Sequence, residues 1–117
     1  MTDIAATFAS LKANAPALKQ TDAKTRADKI LALLDATLAR KEELYAAAHK
    51  ERGTCDMDSA AELMMLSMEA KFIAKNVGKW MKPQRVKGSL ASMGKKSYIY
   101  YEPKGVVLNL STWNAPA

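Results

Sequence analysis

One cysteine and one histidine are all that 117 residues offer of the side chains that most often carry nucleophilic, redox or metal chemistry. Cys55 cannot close an internal disulfide and has no second thiol with which to hold zinc, which fits a reducing, cytoplasmic compartment. Long apolar runs are missing as well: none approaches the roughly 18 residues that a membrane helix needs. Asp3 stands near the N-terminus, where no basic segment leads into an apolar stretch, so no secretory leader is expected. Internal repeats and low-complexity segments are absent too.

The remainder is the composition of one small soluble domain, with 49% hydrophobic and 26% charged residues. A formal net charge of +6 opens a nucleic-acid reading, because clustered lysine and arginine neutralise phosphates. Here the charges are dispersed. The densest basic stretch, residues 75–96, holds Lys79, Lys82, Arg85, Lys87 and Lys95 but lacks the glycine-aromatic signature of a single-strand-binding sheet. A solvated basic face, or one that pairs with an acidic part of a larger protein, is the expectation, with no nucleic-acid partner.

Helical periodicity dominates the first two thirds of the chain. Ile4, Phe8 and Leu11 recur at four and three over Asp3 to Ala13, predicting a short amphipathic helix closed by Asn14 and Pro16. A second helix starts at Thr21 or Asp22, with Ala27, Ile30, Leu31, Leu34 and Leu38 on one stripe. The pattern continues through Leu44, Ala47 and Ala48 to Gly53, a good C-terminal cap, with a break near Ala39 to Glu42 that makes two helices of it. Ser59 and Glu62 stand at capping-box spacing and predict the start of a long helix. Along it Leu66, Ala70, Ile73, Val77 and Trp80 draw a narrow seam that Pro83 ends. Met57, Met64, Met65, Met68 and Met81 crowd this region, where adaptable thioethers fit core or subunit-contact packing. Cys55 reads as an ordinary thiol and His49 as a partly exposed helix residue.

After Pro83 the character changes. Residues 85–94 read as a connection, and Ser97 to Glu102 as a strand with Tyr98 and Tyr100 on one side, Ile99 and Tyr101 on the other. Glu102, Pro103, Lys104 and Gly105 supply a tight turn into a second strand, Val106 to Leu110. Two strands alone leave their edges unpaired. Ser111, Thr112, Trp113 and Asn114 follow, so the amide of Asn114 is displayed where a strand stops, which is where open α/β sheets bind ligands. Asparagine is equally a preferred helix N-cap, and Pro116 suits the first turn of a helix, so the sequence stops as a next element would begin.

Lys79-Trp80-Met81-Lys82-Pro83, Ser97-Tyr98-Ile99-Tyr100-Tyr101-Glu102-Pro103-Lys104-Gly105-Val106-Val107-Leu108 and Trp113-Asn114-Ala115-Pro116 together resemble the N-terminal portion of an aldehyde dehydrogenase. The flavour is that of the class 3 branch, which includes fatty and coniferyl aldehyde dehydrogenases. Thr25-Arg26 and Gly53 stand in the order that family shows, and the resemblance runs from about Ala6 to the end. It implies an α/β parent fold: N-terminal helices (about 3–82) and first strands (about 97–111) of an incomplete Rossmann-type cofactor-binding domain. The chain by itself is then mostly α with two C-terminal strands.

The resemblance further implies an oxidoreductase that uses NAD or NADP, forms a thiohemiacetal on a cysteine and assembles as a homo-oligomer. By it, Asn114 is the side-chain half of the oxyanion hole, while the backbone of Leu110, Ser111, Thr112 and Trp113 lines the cofactor cleft. A neutral amide donor suits an alkoxide because it stabilises charge without titrating near pH 7. Nucleophile and general base fall outside the quoted motifs, and no metal site is expected. Asn109, Thr112 and Ala115 depart from the family's usual apolar residue, proline and aromatic, and Cys55-Asp56 from its lysine-proline. The expectation is a segment inactive alone. Its alternative is a basic helical interaction or nucleic-acid-binding module derived from the same family.

Overall fold

The computed structural model describes residues 3–92, 94–112 and 114. Four helices come first: α1 (Ile4–Lys19), α2 (Ala23–Ala39), α3 (Lys41–Arg52) and α4 (Asp56–Trp80). Two three-residue strands follow, β1 (Gln84–Val86) and β2 (Ser97–Ile99), with a single 3-10 turn, Leu90–Ser92, between them.

Local chemistry explains most of the helix boundaries. Asp3 accepts from the backbone N–H groups of Ala5 and Ala6, and Asp22 from that of Thr25 at 2.7 Å, so the first turns of α1 and α2 are capped. The Thr25 hydrogen bonds hold the Asp22 carboxyl below its ordinary range. Between the two helices the Arg26 guanidinium donates to the carbonyls of Leu18 and Lys19, satisfying groups that the end of α1 would leave open. Gly53 closes α3 at φ +68°, a left-handed conformation that side chains resist, and its N–H returns to the His49 carbonyl.

Two boundaries differ from the sequence reading. α1 does not stop at Asn14 and Pro16: it runs through Pro16 to Lys19. Asn14 donates its side-chain amide to the Ser10 carbonyl within the helix, and Pro16 falls near the last turn, whose carbonyls Arg26 satisfies. α4 starts at Asp56, not Ser59, with Cys55 at its N-cap position. Ser59 therefore lies inside the helix, only 5% exposed and with no partner for its hydroxyl among the described residues, while Glu62 turns to another partner. A buried hydroxyl without a partner is a cost that a capping box would have avoided.

The packing layer is α2 and α3 laid against α4. Leu34 on α2 and Leu63 on α4 are 4% and 5% exposed, and Ala70 joins them as buried. Where the first turn of α2 meets the last of α4, a Cβ on Gly78 would stand 3.3 Å from that of Ala23, so glycine lets the two helices close up. The seam on α4 is partly right: Ala70 is buried, Leu66, Ile73 and Val77 are half-buried, and Trp80 is exposed beside Phe72 at a ring separation of 5.8 Å. Met57, Met64, Met65 and Met68 face solvent and fill no core within this chain.

β1 and β2 form an antiparallel pair with Gln84 opposite Ile99 and Val86 opposite Ser97. Tyr98 and Tyr100 do share a side, their rings 6.4 Å apart. β1 overlaps the start of the stretch expected to be a connection, and Val106 to Leu110, expected to be a strand, is not one. The reason is physical. Strand character in that apolar run reflects burial against a sheet, and Val107, Leu108 and Leu110 have no strand to pair with and stand exposed. The chain is mostly helical with two antiparallel strands, and its 19.4 Å radius of gyration well exceeds the roughly 13 Å of a compact chain this long.

An ion pair ties the later segment back to the helices. Lys19 donates to Glu102 at 2.9 Å, which together with the lysine's charge holds the Glu102 carboxyl below its ordinary range. A carboxyl lowered on folding stabilises above its unfolded value and loses that stabilisation as pH falls through its folded one. Glu102→Gln is therefore expected to weaken the fold at pH 7 and to match the parent at about pH 3. Urea unfolding of both proteins at the two pH values checks this, and a difference that persists in acid would sink it.

Candidate functional site

Asn114 is exposed and follows residues 107–112, which carry no regular secondary structure. It sits beside the turn between α3 and α4, where Arg52, Gly53, Thr54, Asp58 and Glu62 line a shallow cleft with it. The left-handed Gly53 reverses the chain there, so the last side chain of α3 meets the second turn of α4. Arg52 and Glu62 consequently pair, Nη1 to Oε1 at 3.0 Å and Nη2 to Oε2 at 3.5 Å, with each side chain 20% exposed. The same Nη1 donates to the main-chain carbonyl of Asn114. One guanidinium thus links the two helices and the candidate catalytic residue.

The residues expected to line a cofactor cleft precede Asn114 directly. Leu110, Ser111 and Thr112 are exposed, Leu110 at 83%, and Trp113 lies outside the described residues. Backbone outside any helix or sheet keeps N–H and C=O groups open to a ligand, and the two hydroxyls add short polar reach. That chemistry fits the amide and sugar edges of a nicotinamide nucleotide. No group of three or more metal-ligating side chains occurs among the described residues. Cys55 is exposed, its thiol donating to Asp58 Oδ2 at 3.4 Å, while the ring Nδ1 of His49 lies 3.4 Å from the Thr54 carbonyl oxygen and not against the thiol.

Arg52 and Glu62 acquire their place only in three dimensions. They stand ten residues apart across two helices, and Glu62 had an adequate local explanation as a cap. An arginine in the last turn of a helix has one too, the favourable end of the dipole.

The aldehyde dehydrogenase family model matches residues 1–117. AldX of Bacillus subtilis is 33% identical over 115 residues, which make up 97% of this chain and 26% of that protein. An aldehyde dehydrogenase of Craterostigma plantagineum is 35% identical over 92 residues, 78% of this chain and 19% of its own. Aldehyde dehydrogenase family 3 member H1 of Arabidopsis thaliana is 35% identical over 75 residues, 63% of this chain and 16% of its own. The chain therefore spans about a quarter or less of the length of the curated relatives it matches. No solved structure matches it. With a family match over its whole length and relatives of the family 3 branch, this chain belongs to the aldehyde dehydrogenase family.

Proposed function

We propose that these 117 residues serve as the amino-terminal portion of an NAD(P)-dependent aldehyde dehydrogenase, and that Asn114 is its side-chain oxyanion donor. The reading rests on one observation above the others: Asn114 sits in the Trp-Asn-x-Pro motif of a chain that matches the family throughout, with its main chain held by a guanidinium. When a cysteine thiolate attacks an aldehyde, a C–S bond forms and the carbonyl π pair moves onto oxygen. Asn114 Nδ2–H donates to that alkoxide, a charge that exists only as the reaction proceeds. Bound NAD or NADP supplies the hydride acceptor. Leu110, Ser111, Thr112 and Trp113 would hold it through their backbone. The parent fold is a Rossmann-type cofactor-binding domain, and the enzyme works in the cytoplasm as a homo-oligomer.

Cys55 is no substitute for the nucleophile, because it lies at the start of α4 with His49 turned to the Thr54 carbonyl oxygen and not to its thiol. The test is an assay of NAD and NADP reduction with aliphatic and aromatic aldehydes, using the 117-residue chain and the full-length protein that this reading implies. Turnover is expected from the second and none from the first. Aldehyde oxidation by the 117 residues alone, lost on changing Cys55, would overturn the reading.

A further inference from the structure

We infer that Arg52 is a positioning residue for the oxyanion donor, fixing the main chain of Asn114 so that its side-chain amide is already aimed when substrate arrives. This rests on the function proposed above. A donor stabilises an alkoxide well only when it is preorganised, since reorienting an exposed amide during the reaction would consume the energy it contributes. Asn114 is itself exposed, and a side chain from the α3–α4 turn reaches its main chain.

Arg52 has the properties needed. Both of its terminal nitrogens engage Glu62, it is four-fifths covered, and it stands at the end of a helix that Gly53 terminates sharply. Its planar fork is therefore immobilised before it meets Asn114, and one N–H of Nη1 is left for the carbonyl. Fixing that carbonyl sets the peptide plane after Asn114 and with it ψ of the residue whose side chain does the chemistry. The contact uses the main-chain oxygen, so the side-chain amide stays available. Glu62 balances the charge of Arg52, and the arrangement places no net positive group against the segment. Lysine would serve poorly here, because one compact ammonium does not reproduce the two-nitrogen grip on the carboxylate while also reaching the carbonyl.

In the full-length enzyme, Arg52→Gln is expected to lower kcat about tenfold with the aldehyde KM little changed, since misplacing a catalytic group by about 1 Å costs up to 10²-fold. Arg52→Lys should recover part of that rate. Glu62→Gln, which loosens the pair that immobilises the guanidinium, should lower kcat in the same direction as Arg52→Gln but by less. In the 117-residue chain the carbonyl carbon resonance of Asn114 should shift in Arg52→Lys and in Arg52→Gln. Should Arg52→Gln not fold, the lysine variant and this resonance decide alone. A kcat for Arg52→Gln within about twofold of the parent, or an unmoved Asn114 carbonyl, would reduce Arg52 to a brace between helices. A full-length enzyme that tolerates Asn114→Ala would instead remove the oxyanion reading itself.

Discussion

Asn114→Ala in the full-length enzyme is expected to lower kcat for aldehyde oxidation by about 10² to 10³, the usual consequence of deleting one oxyanion-hole donor. The loss should fall on kcat and on kcat/KM alike. The aldehyde carbonyl in the ground state is a weak acceptor with little to gain from the amide, whereas the alkoxide carries a full charge, so the interaction belongs to the transition state. Asn114→Asp sharpens the test. It keeps the shape of the side chain and removes the donor, and an ionised carboxylate at neutral pH repels the developing oxyanion, so the rate should fall at least as far as in the alanine variant. Single-turnover measurements of NAD(P)H formation separate the chemical step from product release. A kcat within about twofold of the parent in both variants would leave Asn114 no more than the helix cap that its residue type also permits.

Leu63→Ala should be the most damaging single change to the helical layer. Leu63 is one of very few buried large residues, and it also lines the gap between α3 and α4 with Leu44, Tyr45 and Ala48, where little can collapse into the space it would vacate. Truncating a buried leucine costs about 2 to 5 kcal/mol, the larger values belonging to sites that cannot relax. For a domain near 100 residues that corresponds to a fall in melting temperature of about 10 °C or more. The control is Leu33→Ala, since Leu33 is 70% exposed and its loss should be close to neutral. Leu63→Met, which nearly conserves volume, should cost less than about 1.5 kcal/mol. Thermal melts followed by circular dichroism decide the matter. Equal melting temperatures for the Leu63 and Leu33 variants would mean that the α3–α4 contact contributes nothing.

The helices were legible because their determinants are local. Asp22, Gly53 and Pro83 act through backbone geometry within a few residues, and the structure uses all three as the sequence reading expected. Leu34 was legible from its stripe, whereas the deepest residue of α4, Leu63, stands one step ahead of the expected seam, three residues before Leu66 and seven before Ala70. Ser59 and Glu62 show how a local motif loses to a tertiary one: α4 began a turn earlier, and Glu62 found Arg52 across the helix turn. The segment Val106 to Leu110 fails for a different reason, since a strand exists only with a neighbour, and Val107, Leu108 and Leu110 have none among the described residues. At the site, the proposal for Asn114 starts from its motif, whereas the contact of Arg52 has no signal of that kind, because nothing in a sequence reports which carbonyl a guanidinium will reach.

The elongation of the chain bears on how its assembly state has to be measured. Dimensions of 63 × 34 × 25 Å give a radius of gyration of 19.4 Å, which a spherical protein would reach only at about 300 residues. On a gel-filtration column or in a scattering curve one copy would therefore pass for a compact dimer or trimer. Methods that weigh the particle, such as sedimentation equilibrium or native mass spectrometry, escape this confusion of shape with number.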